Sequence, residues 1–199
     1  MLGLWWAQLL NNVLAAFNSG VAASTTSFES IATVTVGSGG AANVEFTSIG
    51  TDWTHLQIRG ILRSNFGSSG WEELKIQFNS DTGSNYAWHY LSGNGSTASA
   101  VSGSSASGIR TISCFPSSGV TASVFGVSVI DILDYRNTNK YKTVRFLGGG
   151  DANGSGYVGL SSGLWQNTNA ITSIKLTNWA GAYDFVQYSH FALYGIKSA

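Results

Sequence analysis

Apolar and polar residues alternate along most of the chain that follows residue 26. Between residues 53 and 63, the apolar residues Leu56, Ile58 and Leu62 share one side, while polar residues occupy the other. Side chains of a β-strand point alternately to its two faces, so this period of two predicts a half-buried strand. Gly60 falls on the apolar side, where the missing side chain leaves room for a large neighbour.

About ten such segments are separated by turns rich in glycine, serine and asparagine. The chain contains a single proline, and no helical pattern appears after residue 17. These features predict an all-β fold, an antiparallel β-sandwich of jelly-roll-like topology, because long connections alternate with tight ones. The segment Val129–Leu133 is apolar on both sides, which predicts a central strand in a covered sheet. Residues 92–108, which are small and polar, are predicted to form a long surface loop.

Residues 1–26 are predicted to form a separate element, a short amphipathic anchoring helix with its linker, ahead of a sandwich over residues 27–199. No lysine or arginine precedes Arg59, so the segment lacks the positive start of a signal peptide. Its polar interruptions make it too short to span a bilayer. A lone helix of this length is marginal in water, so we expect it to dock on its own domain, a sister subunit or another protein. Its apolar residues recur at three- and four-residue spacing, as on one face of a helix: Leu2, Trp5, Trp6, Leu9, Leu10, Val13, Leu14 and Phe17.

The composition argues against several functional classes. Charged residues make up only 10% of the chain and balance at ten acidic and ten basic, so no electrostatic signature of nucleic-acid binding appears. The single cysteine, Cys114, excludes an intrachain disulfide and is predicted to be a buried thiol. A chain with so little cysteine suits synthesis in a reducing cytoplasm.

No arrangement of residues predicts an enzyme. Glu72 and Glu73 are expected at an exposed strand edge with their side chains on opposite faces, so they do not form a glycosidase pair. Asp131 and Asp134 are also expected on opposite faces of a strand. Asp131 is predicted to pair with a basic residue, and Asp134 to end its strand by bonding turn amides. The three histidines lie within strand patterns, and we expect structural roles for them: His55, His89 and His190.

Two acidic loops resemble ion-binding sequences but are predicted to be turns. Residues 151–156 begin like a calcium loop, yet they lack the further carboxylates that give such loops affinity, and the surrounding glycines indicate a hairpin. In residues 78–86, Asp81 and Asn85 suit local bonds between side chains and backbone. No metal or other cofactor is therefore expected.

Several framework segments resemble a widespread family of small structural proteins of bacteriophage particles. The resemblance covers about the last six-sevenths of the chain and implies a virion protein of the head-decoration, fibre or tail-attachment kind. It carries over no active-site residues. The segments that carry it are SFESI and VTVGSGG at residues 27–40, HLQIRG at 55–60, FNSDTGSNY at 78–86, DYRNTNK at 134–140 and FALYGIK at 191–197.

Two hypotheses about function follow, and they are compatible with one another. The first is a non-enzymatic virion component, assembled in the bacterial cytoplasm as a homotrimer by analogy with other phage appendages, whose sandwich faces outward and whose N-terminal helix anchors it to other virion proteins. The second is a carbohydrate-binding module for host surface glycans, because sugars stack on exposed indoles and bond to amides. The candidates for glycan binding are Trp71, Trp88, Trp165, Trp179, Asn85 and Asn94.

Overall fold

A computed structural model describes residues 27–68 and 70–198, and these form an antiparallel β-sandwich. The predicted N-terminal helix lies outside the described residues. Within the described ranges there is no helix long and apolar enough to cross a membrane. The strands are β1 (Phe28–Thr35), β2 (Val44–Phe46), β3 (His55–Leu62), β4 (Trp71–Phe78), β5 (Tyr86–Gly93), β6 (Ala98–Ala106), β7 (Ile109–Pro116), β8 (Gly126–Leu133), β9 (Lys142–Asp151), β10 (Gly156–Trp165), β11 (Ile174–Asn178) and β12 (His190–Ile196).

The twelve strands form one large and one small sheet. The large sheet has eight strands in the order β1-β12-β3-β8-β9-β10-β5-β6, and the small sheet has four in the order β2-β11-β4-β7. The chain crosses between the sheets at each of its first three connections. It returns to the small sheet for β7 and β11, and it ends in the large sheet between β1 and β3. The hairpins β5–β6 and β9–β10 both extend the large sheet on the side of β8.

The core lies between the two sheets and is built from the inward-facing residues of both. Leu56, Ile58 and Leu62 of β3 are fully buried, as the alternation predicts, and Gly60 lies on the same inner side. A methyl group at Gly60 would stand 2.8 Å from Ser128 Oγ, so the glycine admits that neighbouring side chain. The buried thiol predicted for Cys114 is confirmed, and burial raises its pKa to about 12.

Two buried cations hold loops against the sandwich by donating hydrogen bonds to loop carbonyls. Arg63 donates hydrogen bonds from its guanidinium to the backbone carbonyls of four residues of the loop between β7 and β8, residues 118–124. Lys142 is fully buried, and its ammonium donates to three carbonyls, those of Asn137, Lys140 and Thr168. Burial lowers the pKa of Lys142. Each cation therefore satisfies backbone acceptors that the irregular loops leave unpaired.

The loop predicted over residues 92–108 is wrong, because this segment belongs to a β-hairpin. β5 continues to Gly93, and β6 pairs with it from Ala98 to Ala106. The side-chain oxygen of Asn94 accepts backbone hydrogen bonds from Ser96 and Thr97 and so shapes the turn. Small residues conceal this strand from a search for apolar alternation, because its pairing uses only main-chain groups.

The exposed edge predicted for Glu72 and Glu73 is also wrong. β4 lies between β11 and β7 in the small sheet, so its pairing groups on both sides are used. The two carboxylates are partly buried, and each has a partner from a neighbouring strand: Asn178 for Glu72 and Arg110 for Glu73. Neighbouring strands therefore determine the surroundings of both groups.

Candidate interaction surface

The outer side of the large sheet carries two adjacent rows of apolar residues, which we call the apolar face. Direct pairing across β8, β9, β10 and β5 aligns the first row. Pairing across β3, β8, β9 and β10 aligns the second, with Gly149 between two valines. About half of most of these side chains is exposed, from 48% for Ile61 to 63% for Val158. The rows are Val129, Leu147, Leu160 and Leu91, and then Ile61, Val127, Gly149 and Val158.

The strands that build this face do not follow the usual rule of apolar inside and polar outside. In β8, Ile130 and Ile132 are buried while Val127 and Leu133 point outward and are exposed. β8 is therefore the central, two-sided strand that its sequence predicts, yet its outer side is bare in the part of the chain that the structure describes. Exposed apolar patches that span several strands mark interaction surfaces, whereas single exposed apolar residues are ordinary.

A groove of about 690 Å³ runs along the apolar face. Val127, Val129, Leu147 and Val158 line it, and Gly149 forms part of its floor. A side chain at Gly149 would overlap the carbonyl oxygen of Tyr157, so the close approach of β10 requires glycine there. The backbone of Gly149 therefore lines the groove in place of a side chain.

A polar row from β3, β8 and β9 borders the apolar face on the side toward the C-terminal end of β8. Arg145 donates to Asp131 at 2.7 Å, and the amide of Gln57 donates to the same carboxylate at 2.8 Å. The predicted pairing of Asp131 with a basic residue is thus confirmed. The polar groups of this row bond to one another. The two apolar rows are therefore the part of the surface that lacks partners among the described residues.

A second cluster, at β4 and β7, combines charge with aromatic rings, and we call it the arginine cluster. Arg110 donates two hydrogen bonds to Glu73, at 2.8 and 2.9 Å. Its guanidinium also lies over the rings of Trp88 and Trp179, 5.3 and 5.2 Å from their centroids. The ammonium of Lys75 lies 5.8 Å from the ring of Trp179. Burial raises the pKa of Glu73, and the hydrogen bond and charge of Arg110 counter that rise.

Most of the predicted glycan-binding tryptophans are buried or are in contact with other side chains of the protein. Trp165 is only 1% exposed, and its indole N–H donates to Asp81 at 2.7 Å. Trp88 is buried as well, which leaves neither ring free to stack on a sugar. Trp179 is half-buried in the arginine cluster. Trp71 is half-buried against Gly150 and makes an edge contact with Tyr157.

The structure does not bring the two candidate amides together. Asn85 and Asn94 are exposed but lie at opposite ends of β5, about 30 Å apart for nine extended residues. Asn85 donates to the carboxylate of Asp81, and Asp81 accepts from the backbone of Gly83. The predicted local bonding of this turn is confirmed. Both amides therefore shape turns at separate ends of the strand.

Partners within the protein are found for Asp134, His55 and His190. Asp134 forms an ion pair with Lys140, and its hydrogen bond with that residue lowers its pKa. The side chain of Asp134 is expected to bond turn amides, but in this turn the amide of Asn137 bonds to the backbone carbonyl of Asp134. His55 accepts the backbone N–H of Asp134. His190 lies 2.9 Å from the hydroxyl of Thr35.

Residues 151–156 form the turn of the β9–β10 hairpin, as predicted, and Asp151 accepts the N–H of Asn153. Across residues 27–68 and 70–198, no group of three or more His, Cys, Asp or Glu side chains could hold a metal ion.

Comparisons with known proteins give no match: no family model, no curated protein and no solved structure is similar to this chain. The apolar face must therefore be interpreted from its own geometry. Sequence reasoning missed it, although the two-sided run in β8 was a signal. Val158 and Leu160 alternate with Gly159 and Ser161, a pattern that ordinarily indicates an inward-facing apolar row.

Proposed function

We propose that this chain is a non-enzymatic structural protein of a bacteriophage particle, an outward-facing head-decoration, fibre or tail-fibre component. The observation that carries the proposal is the apolar face, whose two rows cross five strands without a covering element among the described residues. A surface of this kind stabilises contacts between proteins better than it supports chemistry. The low charge of the chain and the phage-like framework segments support the same function.

We further propose that the sandwich is a jelly roll. The order β1-β12-β3-β8 in one sheet and β2-β11-β4-β7 in the other supports this assignment, because the eight strands alternate between two four-stranded layers except at the step from β4 to β7. The hairpins β5–β6 and β9–β10 then count as additions to one layer. Jelly rolls occur in viral capsid proteins and in lectins, so the topology is compatible with particle assembly and with sugar binding.

In this proposal residues 1–26 anchor the chain, and residues 27–199 face outward. The partners are other virion proteins and further copies of the same chain, with a homotrimer as the expected assembly. The location is the virion, assembled in the bacterial cytoplasm.

Mass spectrometry of purified particles from the phage that encodes this chain tests the proposal. We expect the chain to co-purify with the particles through a density gradient in a fixed ratio to the major capsid protein. Recovery of the chain only from the soluble lysate would refute a virion role. Incubation of the purified protein with host polysaccharides should release no new reducing ends, and release that is lost on Glu73→Gln or Asp131→Asn would refute the non-enzymatic part.

A carbohydrate-binding module is the second candidate, favoured by the partial exposure of Trp71. Trp71 is the one candidate indole for which the described residues provide neither full burial nor a stacked cation. Binding of the purified protein to a host glycan array, abolished by Trp71→Ala and retained by Trp165→Phe, would support this role. An array without any signal would leave assembly as the better account of the surface.

A further inference from the structure

We propose that the free edge of β6 is a self-association site, at which β6 of a second copy of this chain adds to the large sheet as the next, antiparallel strand. β6 ends the order of the large sheet, so only β5 pairs with it. Every second residue of an edge strand directs its N–H and C=O away from its one neighbour. No hydrogen bond from the described residues, other than those of β5, reaches the backbone of residues 98–103. The inference goes beyond the proposed function and does not depend on it.

The other three sheet edges carry features that discourage pairing with another chain. β1 is interrupted by a bulge near Ser30 and contains Glu29. β2 has only three residues, and the central one is Glu45. β7 shifts register twice against β4, contains Arg110 and ends at Pro116. Charges, proline, bulges and short strands are the features by which proteins keep sheet edges from pairing with one another.

β6 has none of these features over residues 98–103. The residues there are Ala, Ser, Ala, Val, Ser and Gly, and they pair with β5 without a change of register. The bulge of this strand comes after them, at residues 104–105, where Ser105 has a φ of 52°. An uncharged and regular edge is a template on which another strand can pair.

The same residues contribute little to the core of their own domain. The small sheet packs on the large sheet mainly through β7, which lies against β9, β10 and β5. Within residues 98–103, only Gly103 is partly buried, against the ring of Trp88. The remaining side chains are exposed on both sides of the sheet: Ala98, Ser99, Ala100, Val101 and Ser102. The stability of the fold therefore does not explain why a regular strand extends here.

A second copy fits this edge because an antiparallel edge strand matches itself. A two-fold contact places the same surface on both sides, and its axis passes through one residue so that paired side chains share a face of the sheet. That residue is Val101, which is 38% exposed and is the one large apolar residue of the stretch, so self-contact there buries the most apolar surface. The two Val101 side chains then face one another, Ala100 faces Ser102, and Ser99 faces Gly103. Every pair is small and uncharged.

Charge does not oppose this contact. The chain has ten acidic and ten basic residues, so two copies do not repel one another through net charge. His89 of β5 is the ionisable residue that pairs with this stretch, and in the proposed contact the two His89 side chains stand at least three strand spacings, about 14 Å, apart. The apolar residues of segment 2–17 recur at the spacing of a helix and not with the period of two of a strand, so that segment is not the strand that adds.

The contact would join the large sheets of two copies into one continuous sheet. Its axis is perpendicular to the sheet, so the outer sides of both copies lie on the same side. Leu91, in the first row of the apolar face, pairs with Ala100 of β6, so only the two β6 strands separate the two apolar faces. Self-association through β6 therefore enlarges the apolar face without covering it. A two-fold contact can join two trimeric rings as readily as two single chains.

The test introduces one charge at the axis in the full-length chain. Small interfaces are commonly weak, so light scattering is performed at about 100 μM protein. The wild-type protein should have a mass that is an even multiple of 21.0 kDa. Val101→Lys places two ammonium groups opposite one another, and we expect it to halve that mass. Thr33→Lys puts the same charge at an exposed position of β1, on the opposite edge of the sheet, and should leave the mass unchanged.

Mixing two variants tests the two-fold register. Val101→Glu alone should also halve the mass, because two carboxylates then face one another. An equal mixture of Val101→Lys and Val101→Glu should restore the wild-type mass, because each lysine can face a glutamate. If β6 paired with a strand from elsewhere in the chain, the mixture would keep the halved mass, and self-pairing would be wrong.

A wild-type mass that is an odd multiple of 21.0 kDa, or Val101→Lys with the wild-type mass, would overturn the proposal. A reduced mass for Thr33→Lys would indicate that β6 pairs with β1 of the next copy, which contradicts the two-fold contact. If Val101→Lys fails to fold by circular dichroism, Ala100→Lys replaces it, because Ala100 is exposed beside the axis. Absence of the chain from phage particles, with this contact present in the purified protein, would count against the proposed function alone.

Discussion

The apolar face and the arginine cluster differ in what the rest of the protein supplies to them. In the arginine cluster, Glu73 has Arg110, and Arg110 lies over two indoles. Lys75, the third charged group of the cluster, donates to the hydroxyl of Ser107. On the apolar face, Leu147 and Val158 have no covering side chain from the described residues and remain half-exposed or more.

This contrast separates a structural cluster from an interaction surface. Aromatic rings beside charged groups often indicate a binding site. In the arginine cluster, however, Arg110 already contacts the carboxylate and the rings that a ligand would otherwise contact. The apolar face contains no conspicuous residue, and its outer side chains contribute little to the core. A surface that is costly to expose and that does not stabilise its own domain is better explained by a partner.

The largest expected effect concerns the ion pairs of the two regions. Arg110→Ala would leave the Glu73 carboxylate, 14% exposed, without its cation, and we expect a loss of about 3 kcal/mol in the free energy of unfolding. Arg145→Ala removes a pair of equal length, 2.7 Å, whose arginine is 72% exposed, and it should cost less than about 1 kcal/mol because the amide of Gln57 still donates to Asp131. Urea denaturation measures both. Equal losses would show that the ion pair of the arginine cluster contributes no more to the free energy of unfolding than the ion pair in the polar row beside the apolar face.

A smaller difference is expected between the two sides of β10. A methyl group at Gly163 would overlap Ile109 in the core, so Gly163→Ala should destabilise the protein by about 2 kcal/mol through overpacking. Leu160→Ala, on the apolar face, should change the free energy of unfolding by about 0.5 kcal/mol or less in the isolated subunit. Both variants are measured at a dilution where light scattering gives the mass of one chain. A loss above about 1.5 kcal/mol for Leu160→Ala would contradict the idea that this face contributes little to its own domain.

The smallest effect concerns Glu72, at the edge of the core. Burial raises its pKa above the ordinary value of 4.5, so the folded state holds this proton more tightly than the unfolded state. Stability should therefore fall as pH rises from 4.5 through the raised pKa. Glu72→Gln can still accept the hydrogen bond of Asn178, and it should flatten this part of the dependence and be slightly more stable at pH 7. Glu45→Gln, at an exposed position, serves as the control, and an equal flattening there would argue against burial as the cause.

Much of the architecture follows from local patterns in the sequence. The antiparallel sandwich, the buried thiol of Cys114 and the pairing of Asp131 with a basic residue could be predicted because alternation and charge are local signals. The strand β6 could not, because it pairs through its backbone and needs no apolar side chains at the edge of a sheet. The burial of Trp88 and Trp165 was equally invisible, since an indole has the same sequence signature in a core and on a surface.

The strand β10 shows that the sequence predicts a strand without predicting which of its faces is buried. Alternation predicts the strand, and by the usual rule Val158 and Leu160 should face the core. The structure turns them outward and places Gly159, Ser161 and Gly163 inward instead.

The physical reason lies in the opposite sheet. Ile109 and Ile112 of β7 pack so closely against β10 that a side chain at Gly163 or Gly159 would overlap them, and Ser161 accepts the backbone N–H of Ile112. The sequence by itself determined that these residues form strands, because alternation is a property of neighbours along the chain. Only the tertiary structure decided which side is buried, because that depends on the volume a distant strand has already filled.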